Sequence, residues 1–323
     1  MFRTQFQVTP LQKSIGYSSF VLLTGSCFSE HIADRLASVK FKTLSNPFGI
    51  LFNPVSMAAE LRRHLQGKWI QPSEVFEHAG LFRSFDFHSN CAHPDKEQAI
   101  RLMNEGIRSG KIFLDKCTHL VITLGTSLVY KLNSSGRVVA NNHKMPAHLF
   151  TKLQLQPEEI VSDWSELITE LKTKYPQIQI IFTLSPVRHL KDGAVENALS
   201  KAILLQSVHR LRSIFPDIYY FPSYEIMIDD LRDYRFYEKD MVHPNETAIE
   251  YIWDLFKKVC MEEECFPVIK LMEQIQTAIH HRPFFPELKE HQDFRLTMLQ
   301  RIDKLQKEYP YIDLSNERNY FSQ

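Results

Sequence analysis

No stretch of this sequence stays apolar for long. The opening segment, MFRTQFQVTPLQKSIGYSSFVLL, offers only a four-residue apolar run, FVLL, after scattered charges. That is far short of a secretory hydrophobic region or a spanning helix, so a cytoplasmic protein with no membrane partner is expected. An excess of either charge is also missing, because 38 Lys and Arg face 38 Asp and Glu. No basic run with interleaved aromatics marks a path for a polyanion, so nucleic acid is not an expected partner. Cysteine is sparse: Cys27, Cys91, Cys117, Cys260 and Cys265 are odd in number and irregularly spaced. Such usage fits reduced thiols better than a disulfide framework, and without a paired CxxC there is no zinc signature. Internal repeats and low-complexity tracts are lacking as well.

What is present is enough to build a large core. The chain has 323 residues, 44% of them hydrophobic and 12% aromatic, which suits one large domain or a domain with an extension. Four short runs rich in β-branched or aromatic residues, FVLL at Phe20, HLVITLG ending at Gly125, IQIIFTLSP ending at Pro186 and DIYYFPS ending near Ser223, are each closed by Gly, Pro or Ser and predict strands. Helical periods lie between them: Ile32, Leu36 and Val39; then Ile160, Trp164, Leu167 and Leu171; then Ala198, Ala202, Leu205, Val208 and Leu211. Pro157 predicts a helix start and Pro176 a stop. Strands alternating with helices predict a parallel sheet covered on both faces, with reactive groups beyond the carboxyl ends of the strands.

Val129 to Ala140, with an Asn-Ser-Ser-Gly turn, predicts a hairpin decorating that sheet. Residues 1–260 are therefore expected to form the α/β domain, with an insertion at about 53–117 that includes the helical patch PVSMAAELRRHL. Residues 261–323, where strand signals vanish and the amphipathic stretches PVIKLMEQIQTAI and FRLTMLQRIDKLQKEY follow, are expected to form a helical extension. It would brace the sheet or pair with a second copy.

Two elements carry chemistry. A strand, a tight turn at Gly25 and a helix start push Ser26 and Cys27 out over the sheet edge, where unpaired amides favour a thiolate and a developing oxyanion. The blander alternative is that Ser26 caps the helix and Cys27 fills space. Far downstream, DMVHPNETAIEYIWDLFKKV holds Asp240 and His243 three apart before Pro244 at the first helical position, with Ala248, Ile252, Leu255 and Val259 as the buried stripe. That spacing lets the carboxylate hold one imidazole nitrogen and leaves the other free as a general base. The alternative is decoration of a helix start.

Gly-Ser-Cys after the first strand and Asp-x-x-His after the last resemble the SGNH (GDSL-type) hydrolase superfamily. More closely the chain resembles its GSCFA branch, through GSCFS, NPFGILFNPVS, TLGTSLVY, SPVRHLKDGAVENALSKA, FPSYEIMIDDLRDYRFY and DMVHP, stretches that span nearly the whole chain. The resemblance implies a three-layer α/β/α, flavodoxin-like fold with a mostly parallel central sheet. Aligning Gly25 with the glycine of the superfamily's Gly-Asp-Ser block makes Cys27 the first choice of nucleophile and Ser26 the second. NPFG would supply Asn46 and Gly49 near the oxyanion, and GTS would supply Gly125, Thr126 and Ser127 where most relatives carry Gly-x-Asn. The hydroxyl of Ser127 replaces the usual amide, a departure that bears on hydrolytic competence.

Arg188 and His189, after the third of these strands, are expected on the same edge. Arg188 would bind a carboxylate, phosphate or sugar hydroxyl, or else pair with Glu196. His143 and His148 lack a third metal ligand at suitable spacing. His280, His281 and Arg282 look like a solvated helix end, and Trp164, Trp253 and Phe256 like core. The expected activity is hydrolysis of a small acyl ester, such as an acetylated sugar, by Cys27 or Ser26 with His243 and Asp240, and with no cofactor. The alternatives are an acyltransferase, or a non-catalytic ligand-binding protein that has lost its oxyanion hole.

Overall fold

The structure, a computed structural model, describes residues 4–5, 7–281, 285 and 287–322. Along the chain, β1 (Phe20–Gly25) leads to α1 (Cys27–Ser38) and β2 (Lys42–Ser45). Next come α2 (Pro54–Gln66), the hairpin β3 (Phe76–His78) and β4 (Leu81–Arg83), α3 (Lys96–Leu114) and β5 (His119–Leu124). After them β6 (Leu128–Leu132), β7 (Val138–Val139) and β8 (Phe150–Gln154) precede α4 (Pro157–Lys174), β9 (Gln179–Leu184) and α5 (Ala194–Ile214). The chain closes with β10 (Tyr219–Phe221), the helical turn α6 (Ser223–Glu225), α7 (Glu246–Cys260), α8 (Phe266–His280), α9 (Lys289–Glu308) and α10 (Ser315–Ser322).

Five strands form the central sheet in the order β10-β9-β5-β1-β2, all parallel. Numbered by sequence within the sheet this is 2-1-3-4-5 read from the β2 edge, the flavodoxin-like order, whose switch point lies between β1 and β5. At that point α1 and α2 leave toward opposite faces.

The strands alternate their side chains between two cores, as the two-residue pleat requires. Val21, Leu23, Val121, Ile181 and Phe221 face α1 and α7. Leu22, Leu120, Ile122, Ile180 and Phe182 face α2, α3, α4 and α5. Residues 53–117, expected as an insertion, thus include the two crossover helices that cover one face: Met57, Ala58 and Leu61 of α2 and Ala99, Met103 and Ile107 of α3 are all buried against the sheet. Helix α2 is locally encoded at both ends. The Asn53 side chain accepts the Ser56 amide at 2.9 Å, Pro54 occupies the first turn, and Gly67 closes the helix in the left-handed region. The Gln156 and Glu159 capping box starts α4 beside Pro157.

The predicted hairpin forms from β6 and β7, with β8 added to the far side of β6. Helices α8, α9 and α10 join the α1/α7 core through Val268, Met272, Ile302, Leu305 and Phe321, and Lys40 pairs with Glu317 at 2.7 Å. Arg282 lies outside the described residues; His280 ends α8, its Nδ1 against the Gln276 carbonyl at 2.7 Å.

Three expectations need correction. The sheet has a fifth strand, β2, whose sequence KTLS carries no apolar run because it is a partly exposed edge. Pro244 precedes the helix rather than starting it: Asn245 is the cap, accepting the Ala248 amide at 3.1 Å, and α7 begins at Glu246. Helix α5 also turns a different face inward. Ala198, Ala202 and Leu205 are exposed, whereas Asn197, Ser200, Lys201, Leu204 and Ser207 are buried with Val208 and Leu211. The buried stripe is polar toward the strand ends, so an apolar period read along the helix settles on the wrong side.

Candidate functional site

Strand β1 ends where a side chain cannot be tolerated. Gly25 has φ +137° and pairs with Thr123 of β5, and a Cβ there would stand 2.2 Å from the Thr123 carbonyl oxygen. The turn remains tied to β5 because the Ser26 amide donates to that same oxygen at 3.2 Å. Ser26 occupies the helix cap without using its side chain as one, and its Oγ is buried with no hydrogen-bond partner among the described residues. Cys27, the first residue of α1, is half-buried and free. Burial pushes its thiol up, the Glu30 carboxylate adds to this, and the amides of Phe28 and Cys27 together with the Lys201 ammonium oppose it. These two amides belong to the first turn of a helix, where no backbone acceptor waits for them.

The NPFG turn supports this corner. Asn46, at φ +43°, accepts the Gly25 amide on Oδ1 at 2.9 Å and directs Nδ2 toward Glu30 at 3.4 Å. Asn tolerates the left-handed region better than other side chains do. The Gly49 amide donates to the Asn46 carbonyl at 2.7 Å, and the amides of Gly125 and Thr126 both donate to the Phe52 carbonyl at 2.9 Å. All three amides are therefore committed to turn structure, and in this arrangement none is free to meet an oxyanion. Ser127 points elsewhere: it is fully buried, with its amide on Ser200 Oγ at 2.8 Å, while the Thr126 hydroxyl lies 3.0 Å from the same oxygen.

The imidazole stands on the loop between β10 and α7. His243 Nδ1 lies 2.6 Å from Asp240 Oδ2, while Asp240 Oδ1 accepts the amides of Val242 at 2.9 Å and His243 at 3.0 Å. Those bonds, the His243 amide foremost, hold the Asp240 carboxyl down at about 2. Both side chains are about half exposed. No hydrogen bond joins Cys27 to His243 in this arrangement.

Arg188 clamps the same loop. Its guanidinium donates to the Met241 carbonyl and lies over Tyr237, 4.6 Å from the ring centre; it makes no ion pair with Glu196. His189 sits edge-on to Phe52, with ring centres 5.5 Å apart. Burial first, then the neighbouring Lys201 ammonium and the His243 ring, hold its imidazole down at about 4, and Nε2 is buried without a partner among the described residues.

Lys201 is one residue that sequence reasoning missed. Deeply buried on α5, it donates from Nζ to the Gly125 carbonyl at 2.9 Å and to the Ser185 carbonyl at 2.7 Å, and it stands 5.1 Å from the centre of the Tyr224 ring. Its only signal in the sequence is the polar stripe Asn197, Ser200, Lys201 at helical spacing. Thr24 and Glu60 were missed too. The Thr24 hydroxyl donates to the buried Glu60 carboxylate, whose other oxygen takes the Phe48 amide at 3.2 Å, tying the end of β1 to the NPFG turn.

Among the described residues no group of three His, Cys, Asp or Glu side chains can hold a metal ion. His143 instead places Nε2 2.8 Å from the Ser84 carbonyl. No helix among the described residues is long and apolar enough to cross a membrane.

Comparison with known proteins adds three findings. The GSCFA family model matches residues 20–256, and the model described as the GSCFA domain protein, C-terminal domain, matches residues 272–323. No curated protein matches. Among solved structures, an acetyl esterase mutant with acetate ion is similar at 9% identity and a TM-score of 0.37, over 80% of this chain and 99% of that one. An acetyl xylan esterase from the rumen bacterium Butyrivibrio proteoclasticus is similar at 12% identity and a TM-score of 0.36, over 76% of this chain and 66% of that one.

Proposed function

From the premise that the chain belongs to the GSCFA family, we propose that it hydrolyses a small acyl ester, with Cys27 as nucleophile and His243, oriented by Asp240, as general base. The observation that carries the reading is the Asp240–His243 pair, with Nδ1 bound at 2.6 Å. Holding Nδ1 in this way fixes the tautomer and leaves Nε2 as the basic atom. Cys27 is preferred to Ser26 because the serine hydroxyl is shut away from solvent.

In the proposed cycle, Nε2 takes the Sγ proton as sulfur bonds to the ester carbonyl carbon. The tetrahedral oxyanion then collapses, expelling the alcohol oxygen with that proton and leaving an acyl thioester. Water, giving a proton to Nε2, attacks the thioester, releases the acid and restores the thiol. With the amides of Gly49 and Gly125 already bonded, the oxyanion is assigned to the helix-start amides of Cys27 and Phe28. Acetyl groups on sugars are the substrates to try first.

The test is turnover of nitrophenyl acetate and acetylated sugars by the unmodified chain, Cys27→Ala and His243→Ala. Loss in both variants supports the reading, and unchanged turnover in both overturns it. The commitment of the Gly49 and Gly125 amides favours a second reading, a ligand-binding protein without turnover. That reading predicts no selective labelling of Cys27 by a thiol alkylator and no turnover by any form.

A further inference from the structure

We propose that Lys201 is the positioning residue of this site: its ammonium ties the ends of β5 and β9 together next to the strand end that carries the Gly25 turn, and sets the charge around Cys27. The inference rests on the reading of Cys27 as nucleophile. It starts from three contacts made by one buried atom. Nζ donates to the carbonyls of Gly125 and Ser185, the residues directly after β5 and β9, and faces the ring of Tyr224, which follows β10. One side chain thereby joins the carboxyl ends of three neighbouring strands on the side of the switch point where Gly25 pairs with Thr123. A lysine seldom sits so deep without a role or a partner charge, because removing an ammonium from water is costly.

No carboxylate forms an ion pair with it among the described residues. The charged and titratable groups that face it are Glu225, carried by the turn after β10, Cys27 on α1, and His189 in the loop after β9. Glu225 is itself occupied with the Tyr220 hydroxyl, at 2.8 and 2.9 Å from its two oxygens. Lys201 therefore carries an incompletely neutralised charge to the carboxyl ends of β5 and β9. Burial holds its ammonium down at about 7, against the pull of Glu225 and Cys27, so the charge is full well below neutrality, half present near pH 7 and lost above it.

The test is the pH profile of Cys27 alkylation by iodoacetamide in the full chain, read as modification of the Cys27-bearing peptide by mass spectrometry. Alkylation requires no ester turnover, so its outcome is separate from success or failure of the proposed hydrolysis. In Lys201→Met the rate at Cys27 measured below pH 7, where the lysine is charged, is expected to fall, with the profile displaced to higher pH. Cys91, whose thiol is raised by burial and by Glu60 rather than governed by Lys201, should keep its rate. A purely structural lysine would leave the Cys27 profile where it is, or open both thiols together; either result overturns the proposal. Should the variant not fold, the unmodified chain still decides. Its Cys27 profile must show a second inflection below that of the thiol itself as Lys201, held below the ordinary lysine range, loses its proton, and a single ordinary thiol titration overturns the proposal.

Discussion

Replacing Gly25 with alanine strikes the turn on which the whole site depends, and its cost can be worked from two separate terms. At φ +137° the backbone occupies a region that side-chain-bearing residues rarely enter, which costs about 1–3 kcal/mol. The added Cβ would also lie 2.2 Å from the Thr123 carbonyl oxygen and 2.9 Å from its carbon. Both atoms are backbone in a central strand, so relief requires β1 and β5 to part at their ends, an overpacking strain of about 1–3 kcal/mol. The sum is about 2–6 kcal/mol, or a fall in melting temperature of about 4–12 °C, taking about 2 °C per kcal/mol for a chain of this length. Gly80 provides the control. Its φ is +72°, but a Cβ there meets nothing within 4 Å, so Gly80→Ala should lose only the conformational term of about 1–2 kcal/mol. Thermal melts followed by circular dichroism compare the two variants under one buffer. Equal melting temperatures would refute the argument that contact with β5 fixes glycine at position 25.

His243→Ala and Asp240→Asn should keep the melting temperature, since both side chains are about half exposed, while ester turnover falls by about 10²–10⁴-fold for His243→Ala; an unstable but active variant would argue against the assigned roles. Met272→Ala removes a fully buried side chain from the core shared by α8 and the sheet domain and should cost about 2–5 kcal/mol in one cooperative urea transition. Two separate transitions would show that the C-terminal helices fold independently. Acid should destabilise the protein through His189. Its folded pKa, about 4, lies below the ordinary value near 6.5, so between these limits the unfolded chain binds more protons. The stabilising contribution is complete above pH 6.5 and is lost as pH falls toward 4. The urea midpoint of His189→Gln should therefore fall less steeply across that window than that of the unmodified chain, and parallel slopes would contradict the assignment.

The parts of the fold legible in the sequence are those where one physical requirement acts alone. Strands β5 and β9 are buried on both faces, so each is one apolar run, and Ile160, Trp164, Leu167 and Leu171 mark α4 because packing dominates that stripe, with the Trp164 indole alone also donating, to the Pro54 carbonyl. Strand β2 escaped notice because an edge needs no apolar run. The inward face of α5 was misread for the opposite reason: two requirements compete there. Leu204, Val208 and Leu211 satisfy the core, while Asn197, Ser200 and Lys201 satisfy strand-end backbone and loop groups. An Asn197 oxygen that takes the His189 amide at 2.9 Å leaves no trace in hydropathy. The same limit governs the site. Gly25, Cys27, Asp240 and His243 stand out as short motifs, but the commitment of the Gly49 and Gly125 amides depends on Phe52 and Asn46 accepting them, which only the folded turn reveals.

The charges around Cys27 bear on when a nucleophile would exist under the proposed chemistry. Three groups favour a negative sulfur, the amides of Cys27 and Phe28 and the ammonium of Lys201, whereas burial and Glu30 oppose it and prevail. The resting group is accordingly a protonated thiol near neutral pH. A protonated thiol is a poor substrate for oxidation and a poor nucleophile, so the sulfur is protected at rest. The same fixed donors act differently once an acyl carbonyl occupies the site. Under the proposed chemistry, negative charge would develop on the carbonyl oxygen beside two amides that need no reorientation. Glu30 disfavours a standing thiolate, but a proton passed to His243 as the bond forms never leaves a full charge on sulfur. A general base is then required rather than optional, which is the role an imidazole held through Nδ1 by a carboxylate at 2.6 Å is built to perform.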